Sequence, residues 1–90
     1  MSLINRYEGK INVIGENLRK YRMEQGLSYE KLSAKLELLG IIIHKQSLYD
    51  VEKNKRVVKD YELYAIARVL KIPIDKMFVD FKMEYSLFEL

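Results

Sequence analysis

Cysteine is absent from the 90 residues, which excludes disulfide staples, thiolate metal sites and cysteine nucleophiles together and fits a reducing compartment. Long apolar runs are missing too. The longest extends from Leu38 to Ile43 and is broken by Gly40, far short of the roughly 20 residues a membrane span needs, so no membrane partner is expected. Charged Arg6, Glu8 and Lys10 precede any apolar run, unlike a secretory signal, and the cytoplasm is the expected compartment. The four glycines, Gly9, Gly15, Gly26 and Gly40, are too scattered to cradle a phosphate. The single histidine, His44, has neither a cysteine nor a second histidine to share a metal with. No metal or cofactor is therefore expected, and no internal repeat, linker or low-complexity stretch is present.

What the chain does contain suits a folded domain. Apolar residues make up 49% and charged residues 32%, enough for a core and a solvated surface. Ninety residues amount to one small domain. A domain of this size has little stability to spare, so its helices must pack well or a second copy must cover some of its surface. The net charge of +3 is unevenly spread. Residues 45–59 carry Lys45, Lys53, Lys55, Arg56 and Lys59 against Asp50 and Glu52, whereas residues 73–90 are net acidic. The basic block suggests contact with a polyanion and the acidic end a different task, although a charged run taken alone is most often solvated surface.

Apolar spacing predicts the elements. Ile14, Leu18 and Tyr21 lie on one face of a first helix, with Asn12 as N-cap and Gly26 as its left-handed terminator. Ser28 caps a second helix, Glu30 sits at the positive end of its dipole, Leu32, Leu36 and Leu39 form its stripe, and Gly40 closes it. Ile41, Ile42 and Ile43 are β-branched and read as a buried extended connection. A third helix runs from about Lys45 to Lys53 with Leu48, Val51 and Glu52 inward, and Asn54 tolerates the left-handed exit. Asp60 caps a fourth helix with the inner stripe Leu63, Ile66, Ala67 and Leu70, and Pro73 opens a short fifth helix through Phe78. From there the period changes. Val79, Phe81, Met83, Tyr85 and Leu87 alternate with Asp80, Lys82, Glu84 and Ser86, the pattern of a half-buried strand that needs a pairing partner.

Three ordered stretches converge on a family. They are Ile14-Gly15-Glu16-Asn17-Leu18-Arg19 through Gln25-Gly26-Leu27-Ser28, then His44 through Arg56, then Asp60-Tyr61-Glu62-Leu63 with Ala65-Ile66-Ala67 and Leu70. On these motifs the chain resembles the DNA-binding domains of the lambda repressor, Cro and XRE regulator superfamily. The resemblance implies an all-α, five-helix helix-turn-helix domain, here with a C-terminal β-strand extension. Its divisions would be an N-terminal arm at 1–10, the DNA-binding domain at 11–79 and a dimerisation tail at 80–90. The implied function is that of a sequence-specific double-stranded DNA-binding transcriptional regulator, a repressor and a homodimer. The physical logic is that a major groove admits one helix, so one helix braces against the backbone while the next reads base edges.

By the same resemblance the third helix is the reader. Lys45 and Gln46 would meet bases, with Ser47, Tyr49 and Asp50 beside them; glutamine suits adenine and lysine suits guanine. Tyr29 occupies a position where the family often has glutamine, and is expected to touch a phosphate, brace Gln46 or simply pack. Arg19, Lys20, Lys53, Lys55 and Arg56 are expected at phosphates, where they position without specifying. Arg22 and Glu52 match a family ion pair between the first and third helices. Val79, Phe81, Met83, Tyr85 and Leu87 are the expected dimer contact.

The chain departs from the family pattern at three places. His44 stands where Ser or Thr is usual, Asp50 where a basic or amide residue is usual, and Leu38 to Ile43 replace a tight turn. Two other functions compete with this one. His44, Ser47 and Asp50 recur every three residues, but one exposed helix offers them no oxyanion donors and no pocket, so an enzyme is not expected. The nearer rival is a protein-interaction or antitoxin-like module on the same fold, which would bind a protein partner through the tail.

Overall fold

The computed structural model describes residues 9–79, which form four α-helices and one 3-10 helix: α1 (Gly15–Glu24), α2 (Tyr29–Leu38), α3 (Lys45–Glu52), α4 (Asp60–Leu70) and the 3-10 helix Ile74–Phe78. Among the described residues none of the helices is long and apolar enough to cross a membrane. The helical stripes converge on one core, in which Leu18, Leu32, Leu36, Leu48, Val51, Ile66, Leu70 and Met77 are all fully buried. Each such side chain contributes roughly 1.5–3 kcal/mol of transfer free energy, and this burial, more than helix propensity, drives the assembly. α3 packs on both α1 and α2, α2 also packs on α4, and the 3-10 helix closes the base against α1 and α4.

All four α-helices end in the same way. The residue after the last turn turns left-handed, and two N–H groups reach back to carbonyls that the helix leaves open. At α1, Gly26 and Leu27 donate to the Met23 and Arg22 carbonyls; at α2, Gly40 and Ile41 donate to Glu37 and Leu36. At α3, Asn54 and Lys55 donate to Val51 and Asp50; at α4, Lys71 and Ile72 donate to Arg68 and Ala67. Asn54 and Lys71 adopt this conformation with φ of 62° and 59°. The lysine is the costly one, because its Cβ meets the left-handed penalty that glycine avoids.

Several local expectations need correction. Asn12 is not the N-cap of α1, whose first flanking residue is Ile14. It works from further upstream, its Oδ1 accepting from Ile14 N–H at 3.0 Å and Gly15 N–H at 2.8 Å. Asp60 is likewise the first residue of α4 and not its cap. The Lys59 backbone N–H is instead satisfied by Glu62 Oε1 at 3.0 Å, since Glu62, one turn into the helix, can reach back to it. Leu39 ends α2 half exposed and outside the core, because the chain turns away there. The isoleucine connection is buried only in part: extended backbone sends Ile43 into the core at 2% exposure and Ile42 outward at 60%. The fifth helix is a 3-10 turn with Pro73 as its N-cap, not an α-helix opened by proline. The predicted tail strand, with Phe81, Met83, Tyr85 and Leu87, and most of the 1–10 arm lie outside the described residues.

Of the four glycines, only Gly15 lies against other backbone, where α1 crosses the end of α3. A Cβ there would stand 2.5 Å from the Val51 carbonyl oxygen and 3.3 Å from Glu52 Cα. Since both obstacles are backbone, α3 itself must shift to accept one. Gly15→Ala should therefore destabilise the domain by about 1–3 kcal/mol, read as a lower urea midpoint, despite alanine's better helix propensity. An unchanged midpoint would mean that the α1–α3 crossing is looser than this geometry.

Candidate nucleic-acid interface

The candidate surface is the outer face of α3, and it is defined by what holds the inner face. Leu48 and Val51 are inserted in the core, and Glu52 beside them is a buried carboxylate at 7% exposure. A buried charge requires partners, and Glu52 has two residues satisfying it. Arg22 on α1 donates from Nε to Oε2 at 2.7 Å and from Nη2 to Oε1 at 3.2 Å, and Tyr29 on α2 donates its hydroxyl to Oε1 at 2.7 Å. The Arg22 guanidinium also lies 4.0 Å from the Tyr29 ring centroid and gives Nη1 to the Leu27 carbonyl at 2.8 Å, in the α1–α2 turn. One cluster thus joins α1, the turn, α2 and α3. The Glu52 hydrogen bond raises the Arg22 pKa above its ordinary value, against the lowering effect of burial. Burial first, and then Glu52, push the Tyr29 phenol above 10.0, so it remains a donor.

A second clasp fixes the exit of α3. Asn12 Nδ2 donates to the Val51 carbonyl at 3.0 Å and the Arg56 carbonyl at 2.9 Å. In return Asn54 Oδ1 accepts from the Ile11 and Asn12 N–H groups. Just beyond, Arg56 makes two hydrogen bonds to Glu62 at 3.0 and 3.1 Å and a further one to the Val57 carbonyl. At the entrance of α3, Ser33 on α2 donates to the Ile43 carbonyl at 2.7 Å, which anchors the residue before His44. None of these contacts was anticipated from the sequence except the Arg22–Glu52 pairing, which the family resemblance implied.

With α3 held at both ends and along its inner side, Lys45, Gln46, Tyr49 and Lys53 form an exposed strip, and half-buried Ser47 and Asp50 flank it. Gln46 Nε2 donates to Asp50 Oδ1 at 3.1 Å, one helical turn on. The Tyr49 ring meets the Tyr29 ring edge-on at 5.8 Å between centroids, and Lys53 Nζ lies 5.5 Å from the Tyr49 ring. Tyr29 thus hydrogen-bonds Glu52 and meets Tyr49 edge-on. Lys55 is exposed past the end of α3, and Arg19 and Lys20 are exposed on α1. A shallow depression of about 500 Å³ at the entrance of α3 is lined by Glu30, Ser33, Ala34, Glu37, His44, Lys45 and Gln46. Among the described residues no group of three His, Cys, Asp or Glu is placed to hold a metal.

Two helices clamped at a fixed angle, the second presenting a polar outer strip, define a helix-turn-helix domain. The helix-turn-helix family model matches residues 18–77, and the chain belongs to that family, in its lambda repressor, Cro and XRE branch. Among solved structures the fold is similar to the restriction-modification controller protein C.AhdI from Aeromonas hydrophila. The TM-score is 0.65 at 25% identity, over 76% of this chain and 96% of that one. It is also similar to the DNA-binding domain of BldD, with a TM-score of 0.60 at 23% identity over 72% and 87% of the two chains. No curated protein matches the sequence.

Two outcomes test the clamps. Glu52→Ala leaves the Arg22 guanidinium buried without its carboxylate, and should cost roughly 3–5 kcal/mol in denaturant unfolding. Replacing both partners by apolar residues, Arg22→Met with Glu52→Leu, should recover most of that loss, because no buried charge is then stranded. At the second clamp, burial alone would raise the Glu62 carboxyl. The Arg56 hydrogen bonds, the Lys59 N–H and their charges outweigh it and hold the group below its ordinary 4.5. A depressed folded pKa contributes stability that is fully present above the unfolded value and is lost as pH falls through the folded one. The wild-type urea midpoint should accordingly drop as pH falls below about 4.5, and Glu62→Gln should flatten that acid limb. Identical limbs would remove Glu62 from this role.

Proposed function

We propose that the protein is a sequence-specific double-stranded DNA-binding transcription regulator that acts as a repressor and reads the major groove with α3. The observation that carries this reading is the exposed strip Lys45, Gln46, Tyr49 and Lys53 on a helix whose opposite side is locked by the Arg22–Glu52–Tyr29 cluster. A reading helix must present donors and acceptors to base edges without moving, and a clamped inner face provides that. The likeness to a restriction-modification controller protein supports a regulatory role.

In this reading Lys45 and Gln46 meet base edges, with Ser47, Tyr49 and Asp50 along the same groove. Lys53 and Lys55 beyond α3, with Arg19 and Lys20 on α1, meet phosphates. Arg56 is divided between Glu62 and the Val57 carbonyl, so its part is to hold the segment after α3 in place for its lysines. Tyr29 supports Glu52 and Tyr49 and does not itself read. The functional unit is a homodimer that sets two reading helices about 34 Å apart in successive major grooves. The segment after Val79, including Phe81, Met83, Tyr85 and Leu87, is its contact. Val79, the last described residue before that segment, is held by Asn17 of α1, whose Nδ2 donates to its carbonyl at 2.8 Å.

Selection from a random duplex DNA pool, with the winners retested across a salt series, tests the proposal. The expected result is an enriched inverted repeat whose half-site spacing reports the dimer. Lys53→Ala and Lys55→Ala should each weaken binding to all sequences alike and lower the salt slope by about one. If nothing is enriched and only weak salt-sensitive binding remains, α3 is not a reader, and the interaction-module reading takes its place.

A further inference from the structure

Asp50 is the residue least expected on a surface that approaches DNA, yet it has a defined partner there. Gln46 Nε2 lies 3.1 Å from Asp50 Oδ1, one helical turn away on the outer face of α3. An ionised carboxylate can only accept, so it selects the nitrogen end of the Gln46 amide and turns the carbonyl oxygen away from itself. Gln46 then has its carbonyl oxygen and one remaining N–H to offer outward. That donor–acceptor pair is what the N7 and N6 amino group of adenine take up, whereas guanine presents two acceptors, N7 and O6, in the same place. A glutamine amide free to rotate can turn both N–H groups toward guanine; one tied at the nitrogen has a single donor left.

We infer that Asp50 is a positioning residue that makes Gln46 discriminate adenine from guanine in the major groove, acting through the Gln46 side chain and touching no base. The inference rests on the DNA-reading proposed above and adds the specificity of one position to it. It also accounts for a negative charge on this face: overall attraction to phosphates is reduced in exchange for selectivity at one base pair. Tyr29, by contrast, is engaged by Glu52 and Tyr49, and the hydrogen bond that orients the Gln46 amide comes from its own helix.

The experiment uses the duplex enriched by the wild-type chain, with every base pair at each half-site position tested in turn against wild type, Gln46→Ala, Asp50→Ala and Asp50→Asn. One position should prefer adenine, and Gln46→Ala should erase that preference. Asp50→Ala should lower the adenine-to-guanine discrimination there by about fivefold or more, while total affinity rises because a charge repelled by phosphates is gone. Asp50→Asn should show the same rise in affinity but keep the discrimination, since its Oδ1 can accept the same N–H. A merely helix-stabilising Asp50 would leave discrimination unmoved in both variants, and either that result or equal loss in both overturns the inference. In the free protein, the Gln46 side-chain amide resonances should shift in Asp50→Ala. Unshifted resonances mean that the pair is not formed, and they overturn the inference without reference to DNA. If the wild-type chain enriches no duplex, the DNA-reading itself fails and the inference falls with it, an outcome distinct from enrichment without any effect of Asp50.

Discussion

The buried carboxylate of Glu52 is the constraint on which the rest of the structure depends. A charge at 7% exposure cannot be left alone, and the two groups that satisfy it come from different helices, Arg22 from α1 and Tyr29 from α2. Apolar packing alone would leave α3 some freedom to slide, because dispersion contacts are many and individually weak. Hydrogen bonds of 2.7 Å to fixed atoms remove that freedom. The desolvation cost of such a pair makes its net contribution to stability modest, so its value to this fold lies in defining one orientation of α3.

The ends of α3 are fixed by different means that reinforce the same orientation. Asn12 and Asn54 exchange side-chain hydrogen bonds with backbone, and Gly15 lets α1 approach the Val51 carbonyl where any Cβ would collide. At the other end, Ser33 holds the Ile43 carbonyl, which lets residues 41–44 enter α3 in a defined direction, while Leu38 at the end of α2 and Ile42 are exposed. The longer connection is accommodated by keeping Ile43 buried and Ile41 packed against the core while Ile42 turns outward. The base is secured by Asn17, whose amide donates to the Met77 and Val79 carbonyls, and by Gln25, which donates to the Leu70 carbonyl.

Rigidity on the inside shapes what the outside can do. The exposed strip of α3 carries Lys45 and Lys53, an aromatic ring locked edge-on against Tyr29, and a glutamine whose amide is oriented by its own helix. Tyr49 and Gln46 are restrained before any partner arrives, which reduces the ordering cost of binding. Arg56 illustrates how the fold diverts a charge that looked available: the buried carboxylate of Glu62 draws it inward, and the basic character of the segment rests more on Lys53, Lys55 and Lys59.

The sequence by itself determined the helices, because an apolar stripe at helical spacing and a glycine or asparagine at a helix exit are local patterns, legible in Leu18, Leu32, Leu36, Leu48 and Ile66 and in Gly26, Gly40 and Asn54. The pairing of Arg22 with Glu52, 30 residues apart, was legible only through a family's motif, since nothing local couples the two. The tertiary structure decided the rest. Asn12 and Asn54 meet across 42 residues, and Asn17 reaches carbonyls 60 and 62 residues away. The Glu62 carboxylate draws in an arginine that read as a surface charge. These are side-chain contacts to backbone or to a single partner side chain, and they have no period to be read. They exist only once apolar burial has brought the helices together, and burial is indifferent to which polar atoms it leaves facing one another.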